Sequence, residues 1–284
     1  MLGTEDELPY VVSRDAFRWL SSVAFAGVGG VALDTLPDAT RAALLARLTS
    51  ADALTVRDAV TQAQLHAAGV VAPLMPDPAE LVETLFGDAI RARVTAPPIA
   101  DLRQAFPGGW LAVQLSTEFA DDATLAEIAA QLGAIPEDTG LGIVLFRAGA
   151  APWHDDDALL ARLAQRLPLR HVRLFDSLDV WDICALLGHA HACLCSSLHG
   201  ALVARAFGVP ALGIEAPHPA QGRKLAAYVS TWHALDAPVL RHYGDIRASL
   251  HEALAADAGA RRAHAGERAS RALAGLRGLL HAAG

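Results

Sequence analysis

The sequence is short of charge, of cysteine and of uninterrupted apolar length, and each shortage closes off a class of protein. Charged residues make up 19% of its 284 positions against 53% hydrophobic ones. That balance excludes disorder, because such a chain buries enough apolar surface to offset the entropy of ordering. Positive charge is scarcer than negative, with a formal net charge of −8 and a pI near 5.8, which argues against nucleic acid as a general partner. An anionic ligand then needs a local positive site rather than a global field. The cysteines are Cys184, Cys193 and Cys195, an odd set with two alternating in one apolar run. That spacing suits neither a disulfide framework nor a zinc site and reads as buried thiols in a reducing cytoplasm. No apolar run reaches the length of a membrane span. Residues 19–36 come closest, but Gly27-Val28-Gly29-Gly30 breaks them, and Glu5, Asp6 and Glu7 are wrong for the start of a signal peptide. No internal repeat stands out.

What is present is enough chain for one large or two modest domains. Residues 1–9 are acidic and lack periodicity, and 17–33 read as a buried apolar strand entering the glycine turn. Residues 37–48 have helical spacing with Pro37 near the start. A strand at 54–57 leads to Asp58 at an N-cap position and a helix over 59–68 closed by Gly69. After Pro76-Asp77-Pro78 a short helix runs through Phe86. Residues 97–109, with Pro97-Pro98 and Pro107-Gly108-Gly109, read as a linker. The second half alternates: strands at 110–115, 141–146, 171–175, 191–195 and 211–214 are separated by helices near 122–132, 157–167, 180–187 and 198–207. This pattern predicts a parallel sheet with helices on both faces. From Tyr243 onward the chain is helical and rich in Ala and Arg.

One stretch organises the second half. His191-Ala192-Cys193-Leu194-Cys195 reads as a strand, Ser196-Ser197-Leu198-His199-Gly200 as a polar corner, and the residues up to Phe207 as a helix stopped by Gly208. Two hydroxyls, an imidazole and a glycine therefore fall where a parallel strand hands over to a helix N-terminus. Ligands bind at the carboxyl ends of such strands, and the free N–H groups of a helix start favour anions. Capping explains one serine; it does not explain the histidine.

Ser196-Ser197-Leu198-His199-Gly200, followed by Phe207-Gly208-Val209-Pro210, resembles the C-terminal signature of the polysaccharide pyruvyl transferases in its Ser-Leu-His-Gly form. The resemblance implies an α/β protein of GT-B type with two Rossmann-like halves. Residues 1–96 would be a partial N-terminal half without the Asn-x-Gly-Asp turn, 97–109 the linker, 110–242 the C-terminal half and 243–284 closing helices. It implies transfer of a pyruvyl group from phosphoenolpyruvate to hydroxyls of a glycan or lipid-linked oligosaccharide, in surface or exopolysaccharide synthesis. No metal or cofactor is implied, phosphoenolpyruvate being the donor substrate, and self-association stays open.

On that reading His199 carries proton transfer, since an imidazole exchanges protons near neutral pH, and Ser196, Ser197 and Gly200 seat the donor. Arg57-Asp58 resembles the family's Val-Arg-Asp element. Arg57 has the donor fork for a phosphate or carboxylate, its alternative being an ion pair with Asp58 or Asp77. Asp58 explains itself as a cap, and Asp77 between prolines suits a turn. His154-Asp155-Asp156-Asp157 opens a helix; capping accounts for the acids better than a shared metal, and His154 is the member placed to reach a ligand. Lys224, Tyr228 and Trp232 share one face of a helix, where Lys224 resembles a family lysine and would face acceptor or phosphate. Gln114 and Ser116 are neutral where many relatives end the strand with arginine or histidine. A nucleotide-sugar glycosyltransferase of GT-B type and a non-catalytic relative are the alternatives.

Overall fold

The structure, a computed structural model, describes residues 22–30, 32–149, 155–216, 223–232 and 238–283. They form two compact units. One is drawn from Met1–Leu81, Gln221–Ala234 and Gly266–Gly284, the other from Val82–Ala220 and Leu235–Ala265.

The first unit begins with β1 (Ala24–Val28), α1 (Asp38–Thr49), β2 (Ala53–Val56) and α2 (Ala59–Ala67). β1 and β2 pair in parallel, Phe25 opposite Leu54 and Val28 opposite Val56, and Leu74 adds a parallel bridge to Val56. The expected buried strand is instead exposed at Ala24 and Ala26; among the described residues β1 pairs with β2 alone. Its register slips between Phe25 and Val28. There Gly27 takes a φ of +60°, and a Cβ would meet Pro78 Cδ at 2.9 Å. Leu33, Leu36, Leu44, Leu48, Val56 and Leu65 form the core.

A buried polar knot completes this unit. Arg57 Nη1 donates to Asp77 Oδ2 at 2.9 Å, and the Asp77 amide donates to the Tyr228 hydroxyl at 3.0 Å. That hydroxyl donates to Glu80 Oε1 at 3.1 Å, and Arg268 Nε reaches the same carboxylate at 3.2 Å. All five residues are buried, so each charge needs its partner. Burial, then the neighbouring Glu80 carboxylate, pushes the Tyr228 phenol well above its ordinary pKa, and it remains a neutral hydrogen-bonding group. Tyr228 lies on α9 (Lys224–Trp232). Residues more than 140 positions apart are thereby fastened to the first 81.

The second unit contains α3 (Val82–Ala92), α4 (Ile99–Ala105), β3 (Trp110–Gln114), α5 (Asp122–Thr139), β4 (Gly142–Phe146), α6 (Asp157–Ala164), β5 (Val172–Phe175), α7 (Val180–Gly188), β6 (Ala192–Cys195), α8 (Leu198–Ala206), β7 (Ala211–Ile214), β8 (Val239–Leu240) and α10 (Ile246–Ala255). The long α11 (Ala258–Ala283) starts here and ends among the residues of the first unit. The sheet order is β5-β4-β3-β6-β7-β8, and every pairing is parallel. Counted from β3, this is the doubly wound order 3-2-1-4-5-6. β3, β4, β6 and β7 are buried along their whole length, which is why they read as continuous apolar runs. Leu111, Val113, Ile143, Leu145, Leu194 and Ile214 pack on α5, α6 and α10; α7 and α8 pack on each other, with α8 against β6 and β7.

Three segments differ from the sequence expectations. The helix expected to end at Phe86 continues to Ala92, with Gly87 and Ile90 buried. Residues 97–109 carry α4, whose Ile99 and Leu102 are buried, and the division between units falls at Leu81/Val82 instead. α5 runs on past Leu132 through Pro136 to a left-handed Gly140. Burial of Ile135 and Pro136 outweighs the one backbone hydrogen bond that proline removes.

Tyr228→Phe removes the hydroxyl from a buried amide and a buried carboxylate, so it should lower stability by about 1–3 kcal/mol. Chemical denaturation of the variant against wild type checks this, and an unchanged midpoint overturns the role given to the knot.

Candidate functional site

In the doubly wound sheet the strand order reverses between β3 and β6, and open α/β sheets bind ligands in the crevice at that switch point. The Ser-Ser-Leu-His-Gly corner stands there. Gln114 ends β3 opposite Cys195 of β6. The Ser196 amide donates to the Gln114 carbonyl at 3.2 Å, and the Ser197 amide donates to Gln114 Oε1 at 2.9 Å. Ser196 Oγ donates to the same Oε1 at 3.2 Å and accepts from the Ser116 amide at 2.9 Å. Gln114 is fully buried and Ser116 nearly so, while Ser196 and Ser197 are half-buried.

Ser197 is the N-cap of α8, its Oγ accepting from the Gly200 amide at 3.3 Å. This is the one cap the sequence called for; the second serine is a cross-strand link. His199, in the first turn, is exposed. Gly200 faces inward. A Cβ there would lie 2.7 Å from Cys195 Sγ, and that thiol donates to the Ser197 carbonyl at 3.0 Å. All three cysteines are free and buried. Its hydrogen bond to Cys195, followed by burial, pushes the Cys193 thiol well above its ordinary pKa; it is a packing group rather than a nucleophile.

Of the residues singled out from sequence, His199, Ser196, Ser197 and Gly200 therefore share one corner. Arg57, Asp58 and Lys224 belong to the first unit. There the Arg57 guanidinium pairs with Asp77 and fills the space a Cβ at Gly29 would occupy, with Nε 2.4 Å from it. Of the two ion pairs considered for Arg57, the structure thus forms the one with Asp77. Asp58 Oδ1 caps the Thr61 amide at 2.7 Å, and its Oδ2 accepts from the Thr61 hydroxyl at 2.9 Å. That hydroxyl accepts from Gly30 at 2.8 Å, so the cap also holds the glycine turn. Asp77 also takes its turn role, accepting from the Ala79 amide at 2.9 Å. Lys224, the sole lysine of the sequence, opens α9 and is partly buried. Tyr228 on that helix is core, and Trp232 Nε1 donates to the Arg57 carbonyl at 2.7 Å, so neither ring is an open sugar platform.

His154 lies outside the described residues. The acids that follow it diverge: Asp155 accepts from Ala148, Asp156 caps the Ala158 amide and Asp157 pairs with Arg147. Among the described residues no group of three His, Cys, Asp or Glu side chains is placed to hold a metal ion, and no helix is long and apolar enough to cross a membrane. The residue whose part sequence reasoning did not assign is Gln114. Its signal was a single polar side chain at the end of an otherwise apolar strand.

Gly200→Ala should cost about 1–3 kcal/mol by overpacking against Cys195, and Cys195→Ala should return most of that loss in the double variant. Thermal denaturation of the four-member cycle reads the coupling. Additive losses overturn the contact.

A family model, polysaccharide pyruvyl transferase, matches residues 26–217, from β1 to just beyond β7. No curated protein matches the chain. Solved structures of similar fold include UDP-GlcNAc 2-epimerase from Neisseria meningitidis bound to UDP-GlcNAc, at 12% identity and a TM-score of 0.57, covering 91% of this chain and 69% of that one. Another is the α,α-trehalose 6-phosphate synthase of Burkholderia multivorans, at 15% identity and a TM-score of 0.56, covering 96% and 66%. A third, the UDP-forming α,α-trehalose-phosphate synthase of Burkholderia xenovorans in complex with glucose-6-phosphate, matches at 13% and 0.57, covering 96% and 68%. The chain thus spans about two thirds of the length of these proteins, and 61% of another synthase of this kind. At such identities they establish the fold, an α/β architecture of GT-B type. The family match spans more than half of the sequence and includes the corner at the switch point, and on that ground the chain belongs to the polysaccharide pyruvyl transferase family.

Proposed function

We propose that this protein transfers the pyruvyl group of phosphoenolpyruvate to two hydroxyls of a glycan, forming a cyclic ketal in surface or exopolysaccharide synthesis. The observation that carries the reading is an exposed His199 in the first turn of α8, beside the Ser196–Ser197 turn at the sheet's switch point. The reaction needs what such a corner offers. The enol CH2 carbon gains a proton and becomes a methyl group, and the carbon bearing the phosphate becomes electrophilic. One acceptor hydroxyl adds there and a second displaces phosphate. Of the two hydroxyl protons, one balances the new methyl group and the other leaves with phosphate. His199 serves these transfers as general acid or base. Backbone N–H groups at the α8 N-terminus stabilise negative charge on the donor. The acceptor is a glycan or lipid-linked oligosaccharide, and the setting is the cytoplasm.

His199→Ala should reduce ketal formation by about 10²–10⁴-fold while leaving the melting temperature near that of wild type, because the side chain is exposed. Full turnover by this variant overturns the role. Phosphoenolpyruvate should raise the melting temperature of wild type and UDP-N-acetylglucosamine should not; the reverse pattern replaces the donor with a nucleotide sugar.

A further inference from the structure

Gln114 has one half of its carboxamide engaged and the other half unanswered. The Ser197 amide is a donor only, so the atom facing it at 2.9 Å must be oxygen. The assignment of Nε2 follows, and that nitrogen is buried with no hydrogen-bond partner. Buried amide donors are almost always paired, with protein, water or ligand, and leaving one bare is costly. This one belongs to a side chain pinned across the switch point, on the same carboxamide that fixes the N-terminus of α8.

From this we infer that Gln114 Nε2 binds the carboxylate of the small-acid substrate, and that Ser196 and the Ser197 amide position that carboxamide, the Ser196 hydroxyl not contacting the acid. The Ser196 hydroxyl is already engaged both ways, accepting from the Ser116 amide and donating to Gln114 Oε1. The choice of carboxylate over phosphate rests on charge. Gln114, Ser116, Ser196 and Ser197 are neutral, and the exposed Glu118 places Oε2 3.5 Å from Ser116 Oγ. A single negative charge on a carboxylate is tolerated beside such groups more readily than a phosphate group of about −1.5 to −2, which calls for a cation. Nε2 has no exposed surface, so binding requires the corner around the half-buried serines to open. The identity of the acid rests on the ketal-transfer reading; the donor itself does not.

Isothermal titration with phosphoenolpyruvate, pyruvate and inorganic phosphate, each on wild type and Gln114→Glu, tests the assignment. Glutamate keeps an oxygen for the Ser197 amide and replaces the donor by a like charge. Pyruvate and phosphoenolpyruvate should bind wild type and weaken at least about 30-fold in the variant, with phosphate altered less than about 3-fold. Loss of phosphate binding with pyruvate unchanged overturns the carboxylate assignment, and a wild type that binds no pyruvate overturns the proposal. Pyruvate binding that depends on Gln114, in a protein that ignores phosphoenolpyruvate, supports this inference and removes the donor proposed above. If the variant does not fold, a crystal structure of wild type with pyruvate decides. A carboxylate oxygen within hydrogen-bond distance of Nε2 supports the assignment, and pyruvate bound elsewhere refutes it.

Discussion

The hydrogen bonds between the Gln114 carboxamide and the Ser196–Ser197 turn are the constraint on which the corner depends. β3 and β6 are neighbours whose following segments depart from the sheet at its switch point, and nothing in the ladder itself holds their ends in register beyond Gln114 and Cys195. One side-chain oxygen supplies that restraint by accepting two bonds, and the main-chain carbonyl accepts a third. The first turn of α8, including His199, is consequently set by a residue more than 80 positions earlier in the chain. Their acceptor, Gln114, is fully buried, and at low local dielectric its bonds are stronger than at an open surface.

The first unit is organised on a different principle. Among the described residues its two paired strands offer little sheet to pack upon, and buried charge does part of the holding. Arg57, Asp77, Glu80 and Arg268 balance one another around the Tyr228 hydroxyl. Such pairs add little net stability over apolar packing, but a missing member leaves a buried charge unanswered. The arrangement therefore specifies which segments belong together, and it engages Arg57 in a structural contact, as the α2 cap does Asp58.

Much of the second unit was legible in the sequence because its strands are buried on both faces. A parallel sheet demands apolar runs of four to six residues ended by glycine, proline or polar corners, and 142–146, 192–195 and 211–214 present them openly. Gly69 and Gly208 closed their helices in the left-handed conformation expected of them. Local cues failed where packing overruled them. The helix read near 122–132 continues through Pro136 to Thr139; the prolines and glycines of 97–109 read as a linker and flank a buried α4. At the site, His199 and the capping serine could be found from spacing alone, whereas the neutral Gln114 looked like the loss of a cation until its oxygen was seen against the Ser197 amide.

By itself the sequence determined the alternation of elements, the parallel sheet they must form, the place of the strand-to-helix corner and, through Ser-Ser-Leu-His-Gly, the family. Those features depend on residues within one or two turns of each other, where periodicity and capping act directly. Tertiary structure alone decided that the sheet reverses its order between β3 and β6, that Arg57 answers Asp77, and that one end of the Gln114 carboxamide is bound and the other bare. These depend on pairing side chains far apart in the chain, and a buried polar group takes whichever partner the packed fold brings within about 3 Å.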